Sequence, residues 1–96
     1  MSDDYKIIEV KKYLHRYFPD CEIIHRTHSY RQIFDLIHGY DLKASIEFSK
    51  EVWDDNDYKK IDGHLSKVKL SEEINNNIGK HLLVKVDKVV LVAQKK

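Results

Sequence analysis

The sequence predicts a small α+β fold, an antiparallel sheet with helices packed on one face, in the order α-β-β-β-α-β with one strand or two at the end. Three observations predict it. Ile7, Val10, Leu14 and Phe18 recur at spacings of three, four and four, which is one face of a helix. Ala44, Ile46 and Phe48 alternate with Ser45, Glu47 and Ser49, as a strand with one buried face does. The links between elements are short, and short links favour antiparallel neighbours.

The elements follow in order. Ser2 is placed to cap the first helix, with Asp3 and Asp4 in the first turn, where the helix dipole favours acids. Pro19 has no N–H and disfavours helix just before it, so this helix ends near Tyr17. Residues 21–28 read as a strand, with Ile23 and Ile24 on opposite faces. Residues 30–38 fit two states. Tyr30, Ile33, Phe34 and Ile37 have helical spacing, and Ser29 with Gln32 makes a capping box. Against that, His38-Gly39-Tyr40-Asp41 is turn chemistry leading into the alternating segment, so the hairpin is preferred. The strand would then be apolar on both faces.

Ser49 can cap a short turn through Trp53, and Asp54-Asp55-Asn56-Asp57 is a polar break. Tyr58, Ile61, Leu65 and Val68 restart a helical stripe, Ile74 and Ile78 extend it, and Gly79 suits its C-terminus. Ser71-Glu72-Glu73 would equally start a second helix, so residues 57–78 form one helix or two with a break near Leu70. Leu82, Val84 and Val86 alternate, and residues 89–93 continue as strand. Asp87-Lys88 is either a hairpin turn or the middle of one long strand.

Ninety-six residues suit one α+β domain, residues 1–96. Ile, Leu, Val and Phe make 29 of those residues, above the fifth or so below which chains stay disordered. The net charge of +1 argues against a protein that coats DNA. The lone Cys21 cannot form an internal disulfide, and the acidic start lacks the basic and apolar parts of a secretion signal. No apolar run approaches the roughly 20 residues of a membrane span. The expected location is the cytoplasm, with no membrane association.

Candidate chemistry is sparse. His25 and His28 are an odd spacing apart and point to opposite faces of a strand, so they cannot share a metal ion. Cys21 and His25 share a face but lie roughly 13 Å apart, too far for a nucleophile–base pair. The acidic run at 54–57 fails the calcium-loop pattern at Tyr58, Lys59 and Leu65. Gly39, Gly63 and Gly79 are isolated, which rules out a phosphate loop. No catalytic residue, metal ligand or cofactor is assigned.

Arg26, His28, Tyr30 and Arg31 are the nucleic-acid candidates, since arginine neutralises phosphate and an adjacent ring can hold a base. Lys85 and Lys88, with Lys95 and Lys96, would widen that surface if the last strand lay alongside. Apolar residues on both sheet faces, with helices on one face only, point more strongly to a partner. The expectation is a non-catalytic interaction module that pairs with itself as a homodimer or with another protein. A weak nucleic-acid binder is the alternative, followed by an enzyme whose site gathers scattered His and Asp residues.

Overall fold

The computed structural model describes residues 4–92. Helix α1 (Asp4–Tyr17) leads into the meander β1 (Glu22–His28), β2 (Arg31–His38) and β3 (Asp41–Phe48). Three short helices follow: α2 (Lys50–Asp55), α3 (Ile61–Lys67) and α4 (Leu70–Asn76). The chain returns as β4 (Lys80–Val84) and β5 (Val89–Leu91). This is the expected α+β class and element order. The strands form one sheet in the order β1-β2-β3-β4-β5. It is mixed and not wholly antiparallel as expected, because β3 and β4 are parallel while the other neighbours are antiparallel. The three helices between β3 and β4 carry the chain back to the starting end, which a parallel neighbour requires.

All the helices pack on one side. Val10, Tyr13 and Leu14 of α1, Val52 and Trp53 of α2, Ile61 and Leu65 of α3, and Leu70 and Ile74 of α4 are buried in one cluster. They meet Phe34, Leu36, Ala44, Ile46, Phe48, Leu82 and Val84 from the sheet. Register explains that sheet set: Phe34 opposes Ile46, which opposes Leu82, so alternate residues of three strands line one face. Leu14 and Phe18, Ile46 and Phe48, and Ile61 and Leu65, from the two helical stripes and the alternating strand of the sequence, are all buried. Tyr13 lies off the stripe read from sequence, yet its ring is buried and its hydroxyl accepts the Ser71 N–H at 3.1 Å. That bond satisfies one of the free amides at the start of α4.

Residues 30–38 are strand, as preferred, apart from Tyr30, which sits in the preceding turn. The later helical stretch is two helices, broken at Lys69 with φ 57°, and Ser49 Oγ caps α2 by accepting from Val52 N–H at 3.2 Å. Ile78 leaves the helical stripe and is exposed, because α4 ends at Asn76. Val84 pairs with Val89, and Lys85 N–H donates to the Lys88 carbonyl at 2.8 Å. The last hairpin therefore turns at Val86-Asp87, one residue earlier than Asp87-Lys88. The capping role of Ser2, the first-turn position of Asp3 and the tail lysines Lys95 and Lys96 lie outside the described residues. No helix among the described residues is long and apolar enough to cross a membrane.

The open sheet face and the cleft at its end

The sheet face away from the helices carries an ordered set of charges. Arg26 opposes Ile33, and Ile33 opposes Glu47. Residues two places along an antiparallel partner are within reach of long side chains. Arg26 uses this diagonal to reach Asp35, with Nε–Oδ2 at 2.7 Å and Nη2–Oδ1 at 3.4 Å. Ser45 faces Asp35 directly and donates Oγ–H to Oδ1 at 2.6 Å. On the next diagonals Arg31 Nη1 meets Glu47 Oε2 at 2.7 Å, and His81 Nε2 meets Glu47 Oε1 at 2.9 Å. The carboxylate can only accept, so Nε2 of His81 carries the proton.

Ile33 is 3% exposed, although no helix lies over it. It lies between Arg26 and Glu47 in the register, and the ion pairs Arg26–Asp35 and Arg31–Glu47 flank it on the same face. Further out, Ile24 and Leu42 are 41% and 40% exposed, and Ile37, Leu83 and Val90 are half-buried.

Burial raises the Asp35 carboxyl, but hydrogen bonds from Arg26 and Ser45 and the nearby charges of Arg26 and His81 outweigh it. The net result lies below the ordinary carboxylate value. The hydrogen bond to Asp35 raises the Arg26 guanidinium, with burial opposing. The unfolded Asp35 carboxyl binds its proton at about pH 4, before the folded one does. Its contribution to stability is therefore present above about pH 4 and lost as pH falls through the depressed folded value. Asp35→Asn should remove this part of the acid limb. Urea unfolding from pH 6 down to pH 2.5 should show a shallower loss of stability in the variant, and superimposable acid limbs would refute the role.

The residues expected to bind nucleic acid are only partly brought together. Arg26 and Arg31 are each tied to a carboxylate. His28 ends β1 exposed, and Tyr30 stands in the turn before β2. Lys85 and Lys88 frame the last turn, separated from β1 by β2 and β3, so they do not widen its surface. They do share its end of the sheet. There a cleft of about 500 Å³ is lined by Ser29, Tyr30 and Arg31, by Glu47 to Lys50, and by Leu83. A second hollow of about 220 Å³ is lined by Ser49, Glu51, Lys85, Val86 and Asp87. Sequence reading missed Ser49 and Lys50 as site residues because they join the cleft only where β3 runs into α2.

The turn at the rim is strained. His28 pairs with Arg31, leaving Ser29 and Tyr30 as a two-residue hairpin loop with φ 50° and 67°. Such loops favour Asn-Gly, because both positions need positive φ. Tyr30 here is 96% exposed, so no packing visible in the fold offsets the strain.

The remaining candidates serve the fold. Asp57 Oδ1 accepts N–H bonds from Lys59 at 2.9 Å and Lys60 at 3.1 Å, which is the turn into α3. His25 Nε2 bonds Gln32 Oε1 at 2.6 Å, and His64 Nε2 donates to the Lys85 carbonyl at 2.9 Å. Cys21 is free and buried in the core cluster. Among the described residues, no three His, Cys, Asp or Glu side chains group as a metal site needs. Comparison with protein-family models finds no match, and comparisons with curated proteins and with solved structures find none either.

Proposed function

We propose that the chain is a non-catalytic protein-interaction module that pairs with a second copy of itself through the open sheet face. One observation carries the reading: the helices lie on one side of the sheet, and the other side keeps Ile24, Ile37, Leu42, Leu83 and Val90 around a balanced set of charges. Each buried Å² of such apolar surface contributes about 25 cal/mol. The charges favour a like partner, because Arg26 with Asp35 and Arg31 with Glu47 leave little net charge to repel an identical face. A two-fold contact uses the same patch on both copies. The face measures roughly 20 by 25 Å from strand spacing and rise. The part of it away from the cleft, around Ile24, Ile37 and Leu42, carries about half of the roughly 800 Å² that each partner of a standard interface buries. A single unpaired cysteine suits a reducing compartment, so the cytoplasm is the proposed location.

Light scattering at tens of micromolar should give twice the 11.4 kDa chain mass, unchanged at half-molar salt. Ile24→Asp with Leu42→Asp should give the single-chain mass and still unfold in one cooperative transition, at a lower melting temperature because the dimer no longer adds stability. A wild-type mass of one chain at that concentration would refute the proposal.

A further inference from the structure

The strained turn at Ser29-Tyr30 calls for an explanation that packing does not supply. Backbone held in a sparsely populated region, with a bulky side chain left in solvent, points from geometry toward function. Tyr30 is among the residues lining a cleft whose volume falls within the range of small-ligand sites. Leu83 gives the cleft apolar lining, and Ser29 and Ser49 add hydroxyls. Two cations, Arg31 and Lys50, line it together with the Glu47 carboxylate. Arg31 engages Glu47 through Nη1 and still leaves its side chain 63% exposed, so most of its guanidinium fork is open to a ligand. Lys50 is exposed, with no ion pair among the described residues. An exposed aromatic face beside a planar guanidinium and an ammonium matches a ligand that joins a flat ring to a phosphate.

We propose that this cleft binds a nucleotide, free or within a single strand, with its base stacked on Tyr30 and its phosphate held by Arg31 and Lys50. The site is thus the end of the sheet. Arg26, on the open face and held by Asp35, takes no part.

The test is fluorescence anisotropy of a labelled eight-residue thymidine strand at 50 mM salt, with unlabelled adenosine monophosphate as competitor. Wild type should bind at micromolar concentration. Lys50→Glu should weaken binding about tenfold and flatten the salt dependence by about one unit of slope. Tyr30→Gly should also weaken it about tenfold, while its melting temperature rises because the turn strain is relieved. Loss of binding in that variant therefore cannot be loss of folding. Arg26→Gln should bind as wild type does. Competition by adenosine monophosphate supports a site for free nucleotides, and binding of the strand without such competition supports a site for nucleotides within a strand. No binding of the strand or of the mononucleotide overturns the proposal. So does equal competition by inorganic phosphate or by a glutamate-rich peptide, or full affinity in Tyr30→Gly.

Discussion

Phe34→Ala should lower the free energy of unfolding by about 3–5 kcal/mol. Phe34 is fully buried at the middle of β2, the strand paired on both edges within the meander. Its ring lies edge-on to Phe48 with centroids 5.7 Å apart, and 6.2 Å from Trp53. Phe48 and Trp53 are themselves 5.2 Å apart. On the other side the His25 imidazole sits at 4.9 Å. Truncation removes the transfer energy of the ring, leaves a cavity under α2, and takes away contacts worth about 0.5–1.5 kcal/mol per aromatic pair. Urea denaturation followed by the fluorescence of Trp53 reads the change directly. A loss under 1 kcal/mol would mean that the aromatic cluster does not tie α2 to the sheet.

Leu65→Ala should cost about 2–5 kcal/mol by the same measurement. Leu65 is fully buried on α3, a helix of seven residues that is too short to persist in water alone. Its stability therefore comes from packing, and Ile61 and Leu65 supply the buried face. The spread in the expected cost reflects how far α1 and α4 can collapse into the gap. A change below about half a kilocalorie would mean that α3 is not held by this face.

The parts of the fold legible in the sequence were those set by local period. The stripe of α1, the alternation of β3 and the turn at His38-Gly39-Tyr40-Asp41 each rest on residues only a few places apart in the chain. The parallel pairing of β3 with β4 was not legible, because it depends on where three helices deliver the chain. Short links elsewhere made an antiparallel neighbour the natural expectation. The turn at Ser29-Tyr30 was hidden because it lacks the glycine that marks such loops. The arginines show the same limit in the candidate site. Arg26 and Arg31 are visible as cations in sequence, but the carboxylates that hold them are nine and sixteen residues away. Only the strand register brings Asp35 and Glu47 beneath them. Tyr30 and Arg31 were named as candidates from sequence, whereas Lys50 needed the end of β3 to be placed beside their turn.

The parallel pairing also has a kinetic meaning. The meander closes through two tight turns, so its contacts are local and can form early. Ala44 meets Lys80, 36 residues on, and that pairing must wait until the intervening helices have condensed on the sheet. Strands β4 and β5 are accordingly expected to join last. They are also short, which marks them as the part released first in a partial opening of the folded protein. Such an opening would carry Leu83 away from the cleft and Lys85 away from the adjoining hollow, and leave Tyr30, Arg31 and Lys50 in place.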